Sequence, residues 1–256
     1  MRPAAMGPRP VLSRRTEDGE PLGALLWEFG PGWRMISSAM LGGGIGPREW
    51  VLNAQVVAGY ARMDPVEHLT GLAPPGTPGV GMMTAAHVER YALCEDGGVR
   101  AVATVGLRVP TWAAAPADVP DLELAPMVGG GGAPAPGTIN IVVAVPAPMT
   151  DAALVNAVMT VTEAKTQALA EVGFPGTGTA SDAVCVGVRD PGAPARHDSP
   201  GAEELFGGPR SHWGARVARA VHAAVRRGAA DWAAFAARDG VGWDAAPPFL
   251  SRSSET

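Results

Sequence analysis

The sequence predicts a single α/β (α+β) domain built as a layered sandwich of sheets and helices. One arrangement that fits is αββα, with two sheets packed face to face between outer layers of helices. Apolar residues make up 46% of the 256 residues and charged residues 18%, which is enough for a sizeable core. The 34 glycines and 25 prolines are spread between apolar runs, as in a turn-rich globular chain. A buried strand, a long helix, a glycine turn and a second strand follow one another over 138–188, the order of an α/β unit.

The first half of the chain predicts short strands separated by glycine turns. Residues 1–20 mix arginine, proline and acidic residues without periodicity and predict a flexible lead-in. Strands are predicted at 22–29, 33–39, 50–57 and 99–107. Thr84 is placed to cap a helix over 84–93. Residues 113–136, dense in alanine, proline and glycine, predict a long surface excursion.

The second half has clearer periodicity. Residues 138–145 are β-branched and apolar, as expected of a strand buried on both faces. Thr150 is placed to cap a helix that runs to about residue 172. After a glycine turn at 176–179 the chain returns as a strand over 182–188.

Two helices are predicted near the end of the chain. One runs from about Ser211 to Gly228, where a glycine is expected to end it, and a short one covers 231–239. The predicted organisation is therefore a lead-in over 1–20, one catalytic domain over 21–228, and a short helix with a tail over 229–256.

Composition and charge exclude several classes of partner. The net charge is −5 and no lysine or arginine stripe occurs, so nucleic acid is not an expected partner. The longest apolar run, 139–145, is too short to span a bilayer, and no secretory signal follows the first residues. We expect a cytoplasmic protein without a membrane partner.

Spacing does not predict a metal site or a disulfide. The two cysteines, Cys94 and Cys185, form no Cys-x-x-Cys motif. The five histidines are scattered without a ligand motif, and the Asp64–His68 cluster is also typical of a helix start.

Lys165 is the first candidate for chemistry. At 100° per residue it projects from an apolar arc of the 151–172 helix that contains Leu154 and Val161, whereas Glu163 faces outward. A buried ammonium needs a partner or a polar cavity. Lys165 either pairs structurally with an acid such as Asp182 or belongs to a site, and the sequence leaves both interpretations open.

The glycine turn is the second candidate. Gly176, Thr177, Gly178 and Thr179, followed by Asp182, bring backbone N–H groups, hydroxyls and a carboxylate together within a few residues. An amide hydrolase needs such donors for its oxyanion and a base for its nucleophile. The same glycines also suit an ordinary turn.

Polar residues in otherwise apolar strands are the third candidate. Asn53 and Asn140 must find hydrogen-bond partners there, and a buried amide at a strand end can orient a substrate. Ser37 and Ser38 precede a run of glycines, where a turn-capping role is the more common use of serine.

Several short blocks keep a common order along the chain, among them Gly137-Thr-Ile-Asn-Ile141, Thr162-Glu-Ala-Lys-Thr166 and the turn through Asp182. The others are Ile36-Ser-Ser-Ala39, Leu52-Asn-Ala-Gln-Val56, Gly79-Val-Gly-Met-Met-Thr84, 150–157 and 207–214. Together, over roughly 22–228, they resemble the adenosylcobinamide amidohydrolase (CbiZ) family. One stretch departs from the family pattern: Gly208-Pro-Arg-Ser211 stands where many members have Gly-x-His-Thr, and His212 comes two residues late.

The resemblance implies hydrolysis of the amide between aminopropanol and the corrin ring, which gives adenosylcobyric acid for coenzyme B12 salvage. The cobalt corrinoid is then the substrate, and no separate cofactor is expected. The assembly state is open, with a homo-oligomer as one option. The strand–helix–turn–strand segment is also similar, more distantly, to DmpA-type aminopeptidases and ornithine acetyltransferases, which favours the αββα order.

Roles can be assigned to the family-like residues as hypotheses. The predicted catalytic residues are Asp182, Lys165, Thr179 and Thr177. The predicted substrate-binding residues are Asn53, Asn140, Ser37, Ser38, Thr84, Glu163, Thr166, Gly176 and Gly178.

In the hypothetical mechanism Asp182 activates a water, and Lys165 with the N–H groups of the glycine turn stabilises the oxyanion. Asn53 and Asn140 orient the amide. Asp182→Asn and Lys165→Met are expected to fold normally and lose most turnover. Two alternatives remain: a self-processing N-terminal-nucleophile aminopeptidase or acyltransferase-like enzyme, and a corrinoid-binding protein without catalysis.

Overall fold

Ten strands and three α-helices form the fold in the computed structural model, which describes residues 7–117, 137–192 and 203–239. The strands are β1 (Val11–Glu17), β2 (Glu20–Glu28), β3 (Trp33–Ser37), β4 (Gly44–Pro47), β5 (Trp50–Gln55), β6 (Gly79–Thr84), β7 (Ala92–Asp96), β8 (Val99–Gly106), β9 (Thr138–Ala144) and β10 (Ala183–Arg189). The helices are α1 (Pro65–Leu72), α2 (Asp151–Glu171) and α3 (His212–Ala236).

The strands form two sheets. A four-stranded sheet has the order β1-β2-β5-β6, and a six-stranded sheet has the order β4-β3-β10-β9-β8-β7. The pairs β5–β6 and β9–β10 are parallel, and the other neighbours are antiparallel. The β9–α2–β10 segment is thus the predicted α/β unit, with α2 as its crossover.

Three apolar layers hold the sheets and helices together. The largest lies between the six-stranded sheet and the helices α2 and α3, and includes Ile141 and Val221. A second fills the space between the two sheets around Trp27 and Met35. The third packs α1, through Leu69, on the outer face of the four-stranded sheet. The layers therefore follow the order α1, sheet, sheet, α2 with α3, which confirms the predicted αββα sandwich.

The α/β unit matches its prediction closely. All seven residues of β9 are buried, in agreement with a strand covered on both faces. Thr150 caps α2, and its side chain accepts a hydrogen bond from the N–H of Ala153.

The predicted lead-in over 1–20 is wrong from Val11 onward, because β1 pairs with β2 along its whole length. The residues of β1 are mostly exposed, so an edge strand here leaves no apolar pattern in the sequence. The turn carries the signal that was missed. Asp18 and Gly19 both have positive φ, 52° and 84°, as a tight two-residue hairpin requires.

The predicted helix over 84–93 is also wrong. Strand β6 continues to Thr84 and pairs in parallel with β5, and only a short 3-10 turn, Val88–Arg90, precedes β7. The side chain of Thr84 accepts a hydrogen bond from Ala86 N–H, two residues on, which makes a local turn instead of a helix cap.

The predicted break at Gly228 is absent, and α3 continues unbroken to Ala236. A Cβ atom at position 228 would lie 2.6 Å from Cγ2 of Val105. The glycine therefore permits close packing of α3 on β8 and does not end the helix. The predicted excursion beyond residue 117, the prolines at 194 and 200, and the tail beyond 239 lie outside the described residues.

Candidate active site

The structure brings Lys165 and Asp182 into direct contact. The ammonium of Lys165 in α2 donates to Oδ2 of Asp182, which immediately precedes β10. Only 10% of the lysine side chain and 13% of the aspartate side chain are exposed. The pair lies on the helix-facing side of the six-stranded sheet, where a separated charge would be costly.

The Asp182 carboxylate is surrounded by donors. Oδ1 accepts hydrogen bonds from the N–H of Ile139, at 3.0 Å, and from the hydroxyl of Thr179, at 2.5 Å. Oδ2 accepts from Lys165 and from the N–H of Thr179, at 3.3 Å. Since a carboxylate offers about four lone-pair positions, all of its positions are occupied.

The glycine turn lies directly on this pair. A Cβ atom at Gly178 would collide with both Lys165 Nζ and Asp182 Oδ2, so only glycine fits there. Thr177 holds the turn from the outside, because its hydroxyl accepts from Ala113 N–H and donates to the carbonyl of Thr111. Thr177 is therefore a structural tie and does not contact the ion pair in the described structure.

Most N–H groups of the turn are already engaged. Those of Gly176, Thr177 and Thr179 donate to Phe174, Thr111 and Asp182 respectively. Gly178 forms an antiparallel bridge with Thr111, whose N–H donates to its carbonyl, and among the described residues no acceptor is seen for the N–H of Gly178 itself. The predicted set of oxyanion donors is therefore reduced to this N–H and Lys165.

Of the two other predicted residues on α2, Thr166 contacts the glycine turn and Glu163 does not in the described structure. Thr166 donates to the carbonyl of Thr162 within the helix and, at 3.4 Å, to the carbonyl of Thr177. Glu163 is exposed, on the outward side that its position in the helix predicts.

A second polar group lies between the two sheets. Asn140 in β9 donates through Nδ2 to Oδ1 of Asn53, at 2.9 Å, and to the carbonyl of Met83, at 2.8 Å. Asn53 donates in turn to Oγ1 of Thr104, at 2.9 Å. All three side chains are 1% exposed. Thr104 was not predicted, although it shows the signal that identified the two asparagines, a polar residue inside an apolar strand.

The two polar groups lie on opposite faces of the six-stranded sheet but at the same end. Neighbours of Asp182 such as Val184 pack in the helix-side core, whereas Cys185 belongs to the layer between the sheets. Asn140 pairs with Ala183 in register, and the preceding residue, Ile139, donates to Asp182. The starts of β9 and β10 therefore join the two groups.

Hydroxyls of other predicted residues tie the backbone at this end. Ser37 donates to the carbonyl of Val184 and Ser38 accepts from the N–H of the same residue. Thr138 and Ser181, which are not among the predicted residues, share a hydrogen bond of 2.7 Å between their hydroxyls. Thr138 is the first residue of β9, and Ser181 lies two residues before β10.

Two cavities lie near the sheets. One of about 750 Å³ is lined mainly by apolar residues and a proline-rich loop, including Trp50, Pro74 and Pro78, and contains none of the predicted site residues. A smaller one of about 50 Å³ lies beside Gly106 and Arg108. A Cβ atom at Gly137 would lie 3.0 Å from Arg108 N and 3.1 Å from Cγ2 of Thr179, so the smaller cavity is next to the glycine turn.

Three other reactive side chains, those of Cys185, His68 and His212, have structural surroundings in the described ranges. Burial raises the pKa of the Cys185 thiol to about 12, which keeps it protonated and unreactive. His68 is held between Glu17 and Tyr60, and His212 contacts Arg216. Across the described ranges, no group of three or more His, Cys, Asp or Glu side chains could hold a metal ion.

These features define a class of protein: an αββα sandwich with a candidate site in which a lysine, an aspartate and a threonine hydroxyl meet. Such a set is suited to acyl-group chemistry. The family described as adenosylcobinamide amidohydrolase (CbiZ) matches residues 10–237. The chain belongs to that family.

Named relatives agree with the family match. The chain is 27% identical over 194 residues to the adenosylcobinamide amidohydrolase of Methanosarcina mazei, an alignment that covers 75% of this chain and 88% of that protein. It is 35% identical over 185 residues to that of Halobacterium salinarum, covering 70% of this chain and 64% of that protein. In the part of the chain that the structure describes, no helix has both the length and the apolar character needed to cross a membrane.

Proposed function

We propose that this chain hydrolyses the amide between aminopropanol and the corrin ring of adenosylcobinamide, releasing adenosylcobyric acid for corrinoid salvage in the cytoplasm. The observation that carries the proposal is the contact of Lys165, Asp182 and Thr179 inside the range matched by the family. The reaction needs a base, an oxyanion stabiliser and water, and we assign no further cofactor to it.

Asp182 is the base, and it acts through Thr179. The threonine hydroxyl already directs its hydrogen to Oδ1 of Asp182, and its oxygen can accept a proton from a water on its other side. When that water attacks the amide carbon, its proton passes to Oγ1 of Thr179 as the threonine proton passes to Asp182. As the C–N bond breaks, Asp182 returns a proton to Oγ1 of Thr179, and Thr179 passes a proton to the nitrogen of the leaving amine.

Lys165 and Gly178 stabilise the negative charge that develops on the amide oxygen. Within the described ranges Lys165 donates only to Asp182, so the ammonium retains two N–H groups for an oxyanion. Among the described residues of the turn, the N–H of Gly178 is the donor for which no acceptor is seen. Donors of this kind contribute on the order of 2–4 kcal/mol each to the transition state.

We assign substrate-binding roles to the predicted residues that lie at the strand ends and on the glycine turn. Ser37, Ser38 and Thr84 shape the sheet ends beside the site, and Thr166 with Gly176 supports the glycine turn. Glu163 contacts the corrinoid or a second copy of the chain from the outer face of α2, since its side chain is exposed.

The decisive experiment incubates the purified chain with adenosylcobinamide and follows both products by mass spectrometry. One aminopropanol released per corrinoid converted is the expected result. Corrinoid binding without product would favour a carrier protein. Two fragments of the purified chain on a denaturing gel would favour a self-processing enzyme.

A further inference from the structure

Lys165 is the only lysine in a chain that has 20 lysine and arginine residues in all. The other residues of that set are therefore all arginines. In a chain with this bias, a single lysine indicates a position where an ammonium does something that a guanidinium cannot. One such difference matters in a buried site: a lysine can release its proton, whereas an arginine stays charged in proteins.

Burial of a cation does not by itself require a lysine in this fold. Arg100 pairs with Glu95 at 2.8 Å, and only 7% of the arginine side chain is exposed. The exposed fraction of the Lys165 side chain is 10%, which is similar. Arginine thus serves this protein where a nearly buried ion pair is structural, so burial alone does not account for the lysine at position 165.

The proposed reaction changes the charge beside Lys165. When the hydroxyl of Thr179 passes its proton to Oδ1 of Asp182, the carboxylate becomes neutral. Oδ2 of the same carboxylate is the acceptor for Lys165, so the ammonium then loses its counter-ion. A nearly buried cation without a partner is costly. The negative charge that forms in the same step is on the amide oxygen of the substrate.

We propose that Lys165 is a proton donor in the reaction: as the water attacks, its ammonium transfers a proton to the amide oxygen of the substrate. The inference rests on the proposed function. Asp182 gains, through Thr179, the proton that the water loses, and Lys165 gives up the proton that the amide oxygen gains. The ion pair becomes a neutral amine and a neutral carboxylic acid, and the tetrahedral intermediate is neutral as well.

The breakdown of the intermediate restores the ion pair. One hydroxyl of the intermediate returns a proton to Lys165 as the carbonyl re-forms. The proton on Asp182 passes through Thr179 to the nitrogen of the leaving amine as the C–N bond breaks. The products are a carboxylic acid and an amine, and no uncompensated charge forms in the site at either step.

The first test is Lys165→Arg, which keeps the cation but cannot release a proton. We expect kcat on adenosylcobinamide to fall at least about 100-fold. Arg219→Lys is the matched control, because it exchanges the same two side chains in the exposed ion pair with Asp96 and should leave kcat unchanged. A Lys165→Arg variant that keeps more than about a tenth of the wild-type kcat would overturn the inference, since a charge alone would then suffice.

A double-mutant cycle shows whether the guanidinium takes the place of the ammonium. If the ion pair is retained, Asp182→Asn should destabilise the Lys165→Arg variant to urea as much as it destabilises the wild type. Loss of activity with this coupling retained supports proton donation. Loss of the coupling would give the inactivity a steric cause, because Gly178 packs closely on Lys165, and a second variant then decides.

The second variant replaces the lysine by a chemically installed cation. Lys165→Cys, in a background of Cys94→Ala and Cys185→Ala, leaves one thiol, which is alkylated in the unfolded chain before refolding. Alkylation with 2-bromoethylamine installs an ammonium and should restore at least about a tenth of the kcat of the background protein refolded in the same way. Alkylation with (2-bromoethyl)trimethylammonium installs a cation that carries no proton and should restore nothing. A folded but inactive aminoethyl protein, or an active trimethyl one, would overturn the inference.

Failure of the proposed function has a different signature. A wild type that releases no aminopropanol from adenosylcobinamide removes the function, and the inference with it. An active wild type with an active Lys165→Arg variant removes only the inference, and leaves Lys165 as an electrostatic stabiliser of the oxyanion.

Discussion

The two polar groups at the starts of β9 and β10 differ in how completely their hydrogen bonds are satisfied. On the helix side, the Asp182 carboxylate has a donor at each of its four positions. Between the sheets, the neutral amide of Asn140 has a buried oxygen with no donor among the residues that the structure describes. A buried charge without partners costs far more than a buried amide oxygen, so the fold can leave the second group unsatisfied but not the first.

Breaking the charged pair should have the largest effect. Lys165→Met leaves Asp182 buried without its cation, and Asp182→Asn leaves Lys165 without its anion. We now expect each to lower the free energy of unfolding by about 3–5 kcal/mol, in addition to losing most turnover. This corrects the expectation from sequence that both fold normally, because the structure shows the pair almost fully buried.

Denaturant unfolding and the aminopropanol assay measure the two effects separately. The double variant Lys165→Met/Asp182→Asn, which removes both charges, should recover part of the stability and none of the activity. Wild-type turnover in either single variant would eliminate the mechanism.

Removing the Thr179 hydroxyl should reduce activity without the same loss of stability. Thr179→Ala should lower kcat about 100-fold, because proton transfer to Asp182 loses its relay, and Thr179→Ser should keep most of the turnover. Thr162→Ala is the control, since that hydroxyl donates within α2 to Val158. A covalent corrinoid adduct on Thr179 in the intact mass would show that the threonine itself attacks, and would contradict the relay.

Two glycine substitutions should change stability in opposite directions. Gly178→Ala inserts a methyl group into the ion pair and should cost about 1–3 kcal/mol, together with a loss of activity. Gly71→Ala adds a methyl group where no atom lies within 4 Å, inside α1, and should stabilise by about 0.5–1 kcal/mol. Thermal unfolding of the two variants measures both effects. Equal changes in melting temperature would show that position 178 is not as tightly packed as the structure indicates.

Thiol labelling should show that the layer between the sheets is closed. Burial raises the pKa of Cys185 to about 12, from an ordinary value of 9.0, and burial also raises the pKa of Cys94. At pH 8 a thiol reagent should therefore modify Cys94 slowly and leave Cys185 unmodified until denaturant is added. Because the folded-state pKa of Cys185 is the higher one, its contribution to stability is complete below pH 9 and is lost as the pH rises toward 12. Rapid labelling of Cys185 in the folded protein would instead show that the layer between the sheets, which also contains the Asn53–Asn140 pair, is open to solvent.

Prediction from sequence succeeded for elements whose local composition is distinctive. Strand β9 and the cap of α2 belong to this kind, because β-branched runs and an N-cap threonine are local signals. It failed at β1, whose exposed edge position removes the apolar pattern, and at Gly228, whose role is set by Val105 on another element.

For the candidate site, the sequence by itself determined which polar residues the fold would have to accommodate: a lysine in an apolar helix face, a carboxylate after a glycine turn, and asparagines inside buried strands. These residues stand out because burying a polar group is costly whatever the fold. Only the tertiary structure decided that Lys165 and Asp182 meet, that three of the four turn N–H groups are already used, and that Asn140 keeps an open acceptor. Hydrogen-bond partners far apart in the chain are chosen by sheet pairing and layer packing, and no local pattern encodes them.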